Sequence, residues 1–243
     1  WQPTAPGQVA ALVQFQCTEP FGLLTPTQYL SAPFPPLNSP EYAAALNQVK
    51  ELGSAVSTVR TADQTLVAKL IAGVGYTPGP FGLWSNVVQE VVRSRKLSLV
   101  DTARVFARVT VALNDGLQTT HANKFVYQLW RPITAIQRAG EDLNDQTTAD
   151  ETWASLIPTP PYPSHASNVT CLGTSAARSL ELLFRTDAVP FSVTWTGTGG
   201  NANVTRSYSG FSQLAEEAGL ARVYGGVHFM FEIDAARDAC TKV

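Results

Sequence analysis

The sequence predicts an all-α fold: one helical bundle, residues 39–243, preceded by an irregular proline-rich segment, residues 1–38, that wraps it. Three observations lead there. Apolar residues recur at helical spacing, cap signals open and close those stretches, and strand alternation is nearly absent.

Residues 1–40 hold eight of the 16 prolines, with short apolar runs between them, a poor substrate for helix or sheet. SPEYAAALNQVKELG then begins a helix with Ser39 as N-cap, Pro40 at the first helical position and Glu41 near the positive end of the dipole. TADQTLVAKLIAG carries capping-box spacing from Thr61 to Gln64 and stops at glycine, and PGPFGLWSNVVQEVVRSRK reads as a further amphipathic helix. From Ser98 to about Ala139, Leu99, Ala103, Phe106, Val109 and Leu113 keep the helical period. Pro132 ends or kinks that stretch near Arg131, so two helices are expected there. An acidic loop and the run PTPPYPSHAS lead to a helix over about 168–184. Residues 190–207, rich in Thr, Gly and Asn, are the only place for a strand or long loop, and two helices over about 209–222 and 227–240 close the chain.

Composition excludes more than it selects. A net charge of −2 gives no electrostatic basis for binding nucleic acid or an anionic membrane. No apolar run approaches the roughly 20 residues a membrane span needs. The opening WQPTAPGQVAALVQFQC has no signal-peptide pattern and reads as an interior or processed start. Cys17, Cys171 and Cys240 lack zinc-site spacing and allow one disulfide with a spare thiol, or none. Sequons at Asn168 and Asn203 matter only on a secretory route.

Three segments carry candidate chemistry. In KFVYQLWRP, Lys124 and Arg131 are seven residues apart, within about 20° of one helix face, among apolar neighbours; buried cations on one side need an anion, although a solvated pair is the alternative. In PPYPSHASNVT, hydroxyls and free amides at a helix start suit an oxyanion, although Ser167 or Asn168 could be a plain N-cap and His165 an ordinary loop histidine. In ARVYGGVHFMFEID, Gly225-Gly226 ends one helix and lets another begin, so that Arg222 on the last turn of the first and His228 in the first turn of the second converge.

K-x6-R-P, a P-S-G-H-like segment and R-x5-H, in that order, resemble the vanadium-dependent haloperoxidase and type-2 phosphatidic-acid phosphatase superfamily, and WRPITAI, TPPYPS and RVYGGVHF are similar to bacterial haloperoxidase-like members. The resemblance implies an oxyanion site in a helical bundle. Lys124, Arg131, Arg222, Ser167 and Asn168 would bind vanadate or phosphate. His228 would bond vanadium, with Glu232 orienting its ring, or would act as nucleophile in a phosphatase. Hydrogen peroxide, a halide and a small organic molecule would be the substrates of the first activity; the phosphatase alternative needs no cofactor and binds phosphate as substrate.

The chain also departs from the pattern. Aligned without a gap, the family's Ser-Gly-His falls on Ser167, Asn168 and Val169, and valine moves no proton. The alternative alignment puts the serine at Ser164 and His165 at the glycine. His165 is therefore the candidate acid–base residue, reaching in from four residues earlier, and a non-catalytic binding protein on this scaffold is the third expectation. Relatives are longer, which suggests homo-oligomer contacts or association with a further N-terminal helical region. The sequons suggest a secreted or extracytoplasmic chain. A glycan on Asn168 would obstruct the site.

Overall fold

The fold is described from a computed structural model covering residues 1–243. The helices are α1 (Pro40–Leu52), α2 (Ala62–Ala72), α3 (Pro80–Ser94), α4 (Leu99–Tyr127), α5 (Pro132–Gln137), α6 (Asn168–Phe184), α7 (Phe211–Tyr224) and α8 (Met230–Cys240), with short 3₁₀ turns at Val13–Gln16 and Ala139–Glu141. Local signals start several of them. The Ser39 hydroxyl accepts the Tyr42 amide, and Thr61 and Gln64 make a reciprocal capping box at α2.

The bundle is α4 against α6, α6 against α7 and α6 against α8, so α6 is its central helix. A large core joins α2, α3, α6 and α7 around Trp84, Leu180, Phe211 and Leu214. A smaller one, around Tyr42, Leu46, Phe229 and Ile233, seats α1 and α5 on α8. A disulfide, Cys171–Cys240, joins the second turn of α6 to the end of α8, and Cys17 is free and exposed.

Two strands fall in the stretch 190–207 where a strand or long loop was expected, the second running one residue past it, and a third, at Tyr76–Thr77, falls where none was expected. β1 (Tyr76–Thr77), β2 (Phe191–Gly197) and β3 (Val204–Tyr208) form an antiparallel sheet in the order β1-β2-β3. Its cause is a plain alternation: Phe191, Val193 and Trp195 are buried, while Ser192, Thr194 and Thr196 are exposed.

Residues 1–38 contain no regular element apart from the 3₁₀ turn. Their amides are met by side chains of α4: Phe21 and Gly22 donate to the Asp115 carboxylate, and Ser31 donates to Asn123 Oδ1 at 2.8 Å. These bonds fasten an irregular backbone that has no ladder of its own.

Two helix boundaries differ from expectation, and both bear on the site. α4 stops at Tyr127, Gln128 is left-handed at φ 48°, and Arg131 is extended at φ −78°, ψ 156° as the residue before Pro132. Proline disfavours helical geometry in the residue before it, so Lys124 and Arg131 do not share a helix face. His228 is not in the first turn of α8; it lies in a bend just before the extended N-cap Phe229. Gly226 is left-handed at φ 78° and packs backbone to backbone on Gly53, where a Cβ on either would collide with the other.

Candidate functional site

Lys124, Arg131, Arg222, His228 and Glu232 are all buried, the least so being Arg222 at 6% exposure. They come from four places: the last turn of α4, the N-cap of α5, the last turn of α7, and the start of α8. Lys124 Nζ donates to the Ser164 and Ala166 carbonyls at 2.7 and 2.5 Å. Arg131 donates through Nε to Tyr162 O and through Nη1 to Val227 O, both at 2.9 Å. The Tyr162 ring lies over both cations, 5.2 Å from Lys124 Nζ and 5.0 Å from the Arg131 guanidinium.

One carboxylate faces Lys124 and Arg131. Glu232 Oε2 accepts from Ser164 Oγ at 2.9 Å, from the Phe229 amide at 2.8 Å and from His228 Nδ1 at 2.9 Å. Burial pushes Glu232 up to about 7, with Lys124 and Arg131 pulling the other way. Burial first, and then Arg131, Lys124 and Arg222, hold His228 well below the ordinary imidazole range. His228 is therefore neutral, its Nδ1–H donating to Glu232, and its contact with Glu232 is a hydrogen bond rather than an ion pair. The Nε2 lone pair is left facing Arg131 Nη1 at 3.2 Å.

The cations are short of acceptors. Arg131 Nη2, Arg222 Nε and Asn168 Nδ2 are each buried without a hydrogen-bond partner. Burial lowers both arginines, Arg222 to about 10, which still leaves them charged at neutral pH. Buried donors left unpaired cost of order 1–3 kcal/mol each, more when charged. A cavity of about 220 Å³ opens beside Arg222 and Asn168, lined also by Tyr162, Val169 and Leu172. Four larger surface clefts, of about 360, 500, 430 and 450 Å³, contain none of these cations. Positive surroundings with unfilled N–H groups suit an oxyanion.

The segment 164–169 divides between two duties. Ser167 is the N-cap of α6, its Oγ accepting from Thr170 Oγ1 at 2.8 Å, and Asn168 and Val169 line the cavity. Ser164 holds Glu232 instead. His165 does not line the cavity. Its Nε2 reaches the Ser31 hydroxyl at 2.9 Å and the Ala32 carbonyl at 3.1 Å, and its ring packs among Phe34, Tyr127 and Phe231. It is turned to the wrapping segment. Asn168 is 4% exposed, so no glycan fits on it in the folded chain, whereas Asn203 is exposed.

Residues 104–243 match the family model of the VCPO second helical-bundle domain. The chain belongs to the vanadium haloperoxidase superfamily. Among solved structures it is similar to a bacterial vanadium-dependent iodoperoxidase, with a TM-score of 0.82 and 22% identity over 100% of this chain and 58% of that one. A bacterial vanadium-dependent chloroperoxidase aligns in its apo form at TM-score 0.79 and 15% identity, covering 99% of this chain and 56% of its own. The holo form gives 0.77 and 16%, covering 99% and 55%. At these identities the likeness is one of fold. The haloperoxidase-superfamily chain thus spans a little more than half the length of these relatives. A search of curated proteins returned no match.

Three residues of the site escaped the sequence. Tyr162 could have been noticed as an aromatic held between prolines in PPYP. His121, whose Nδ1 meets the Leu117 carbonyl at 2.9 Å and whose ring lies 5.4 Å from that of Tyr162, carried no signal. Thr120, beside Asn168, carried none either.

Proposed function

We propose that this chain binds a tetrahedral oxyanion, vanadate, and through it carries out haloperoxidase chemistry on hydrogen peroxide, a halide and a small organic acceptor. The observation that carries this is the set of three buried donors without partners, Arg131 Nη2, Arg222 Nε and Asn168 Nδ2, in one cationic region. The residues fit the group. Lys124, Arg131 and Arg222 would balance its charge, Ser167 and Asn168 would meet it at the start of α6, and His228 would offer Nε2 as the ligand atom. Bound vanadate would activate peroxide for two-electron oxidation of halide without changing the metal's own oxidation state.

The chain's own contribution is electrostatic and positional. Glu232 fixes the tautomer of His228 by taking its Nδ1 proton in a hydrogen bond, which keeps Nε2 free of hydrogen. Lys124 ties the 164–166 strip in place and so sets the approach to α6. Tyr162 covers Lys124 and Arg131 and shields them from water.

Val169 favours a second reading, an oxyanion-binding protein without turnover, because no proton-transferring side chain stands at the cavity end of α6. Bromination of a phenol-red-type acceptor by peroxide and bromide, with and without added vanadate and with phosphate as competitor, separates the two. Vanadate-dependent, phosphate-suppressed bromination supports the first. Anion-dependent thermal stabilisation with no bromination supports the second. A melting temperature that neither vanadate nor phosphate moves sinks both. An extracytoplasmic location is part of the proposal, supported by the Cys171–Cys240 disulfide, since such bonds persist mainly in oxidising compartments. Association with a further helical region or a second copy is supported by strongly exposed Phe21 and Leu24 on the wrapping segment.

A further inference from the structure

Asn168 opens α6 where backbone amides are already free, and its side chain adds something a plain helix start lacks. It is 4% exposed and borders the cavity with Arg222. Its Oδ1 lies 2.5 Å from the hydroxyl of Thr120, a residue of α4 that is 1% exposed. Its Nδ2 is buried and has no partner in the chain. A side-chain amide with its oxygen occupied and its nitrogen free is a donor waiting for an acceptor.

We propose that Thr120 is a positioning residue of this site: its hydroxyl holds the Asn168 side-chain oxygen and so turns the amide nitrogen toward the bound oxyanion. The proposal rests on the oxyanion reading, which already counts Asn168 Nδ2 among its donors, and adds to it an orienting hydroxyl from α4.

The Thr120 hydroxyl has one proton and three acceptors in reach: Asn168 Oδ1 at 2.5 Å, Leu117 O at 3.0 Å and Gly116 O at 3.2 Å. The closest is Asn168. Rotating the amide by half a turn would let Nδ2 donate to Thr120 and would aim Oδ1 at the site. An oxygen there suits the arginines while no anion is present, and repels an anion once it arrives. A bound oxyanion therefore selects the orientation with Nδ2 inward, and the hydroxyl proton that meets Oδ1 holds it. The two orientations predict opposite signs for removal of the side chain, which makes the assignment testable. An amide also gives hydrogen bonds without giving up a proton, so the added ligand tightens binding and supplies no acid–base function.

The test is calorimetric titration of the full chain with orthovanadate and, separately, with inorganic phosphate. Asn168→Gly is expected to bind either anion about ten- to a hundredfold more weakly, the span of one hydrogen bond to a charged group. Thr120→Val should lose about three- to tenfold, and Thr120→Ser, which keeps the hydroxyl, should bind like the parent. In the Asn168→Gly background, Thr120→Val should cost nothing further, because its effect passes through the amide. Asn168→Ala replaces the glycine variant if the latter melts below the assay temperature. Parent-like or tighter binding by Asn168→Gly, or full additivity of the two losses, overturns the assignment, while weakened binding by Arg222→Ala in the same series keeps the oxyanion reading standing. If the parent binds neither anion, both fall together.

Discussion

His228 and His165 invite comparison. Both are buried, both are held neutral by burial, and both sit next to a serine or a carboxylate that the chain brings to them. Their partners differ. His228 spends one nitrogen on Glu232 and presents the other to a region of three cations. His165 spends Nε2 on Ser31 and Ala32 of the wrapping segment and is walled by aromatic rings. One histidine faces an unfilled acceptor space and the other closes a joint between two parts of the chain. A histidine's role follows from where its second nitrogen points, which its position in a motif does not state.

The largest effect expected from breaking that contrast is at Val169. It lines the cavity from the first turn of α6, and no proton donor stands there in the parent. Val169→His would put an acid–base group at the cavity, on the first turn of α6. General acid–base groups contribute about 10²–10⁴-fold, so peroxide-dependent bromination per bound vanadate should rise by a factor in that range. An unchanged rate with vanadate still bound would show that proton transfer does not limit the reaction.

How much of this was legible beforehand depended on how local the cause was. The caps at Ser39 and at Thr61–Gln64 are sequence-local, and the helices start where those residues say. The convergence of Arg222 and His228 was readable from Gly225-Gly226, although His228 turned out to precede α8. Lys124 and Arg131 were readable as residue types, but not as geometry. Pro132 forces Arg131 into an extended conformation, and α4 has already ended in a left-handed Gln128, so tertiary structure and not helix periodicity brings the two cations together. The β2 alternation of Phe191, Val193 and Trp195 was in the sequence and was outweighed by the Gly, Thr and Asn around it. Thr120 and the Ser31–His165 joint were out of reach, because each is a contact between segments tens of residues apart, 48 and 134 positions respectively.

A smaller effect, with opposite signs at the two histidine environments, comes from a pair of truncations. Arg222→Ala removes a buried guanidinium that makes no hydrogen bond within the chain and borders the cavity. Vanadate or phosphate affinity should drop on the order of a hundredfold, with the anion-free melting temperature unchanged or raised, since an unpaired buried charge is relieved. His165→Ala removes the contacts to Ser31 and Ala32 and leaves a cavity among Phe34, Tyr127 and Phe231. It should cost about 2–4 kcal/mol of stability and leave anion affinity within about twofold of the parent. Denaturant unfolding beside anion titration of the two variants checks the crossing. If His165→Ala loses affinity as much as Arg222→Ala does, the two environments are one site.

The smallest effect separates the environments by pH. Burial lowers His165 and His121 to about 4 from the unfolded value of about 6.5. A depressed histidine contributes stability that is present above the unfolded pKa and is lost as pH falls through the folded one. Each therefore gives up to about 3 kcal/mol at neutral pH, lost between roughly pH 6.5 and 4. Glu232 runs the other way. Its folded value of about 7 lies above its unfolded value, so its share is present at acid pH and is lost as pH rises through 7. The two histidines exceed the one carboxyl, and His228, also depressed, adds to their side. The net expectation in the absence of anion is a loss of about 2 kcal/mol or more from pH 7 to pH 4.5, read by denaturant unfolding. His165→Phe keeps a ring among its aromatic neighbours and removes the titrating nitrogen. It should reduce that loss by about 2 kcal/mol, the share of one histidine, while Glu232→Gln should deepen it. A flat pH profile in the parent, or one that Glu232→Gln flattens, would mean that the buried carboxyl and not the histidine at the wrapping segment governs the acid behaviour of this bundle.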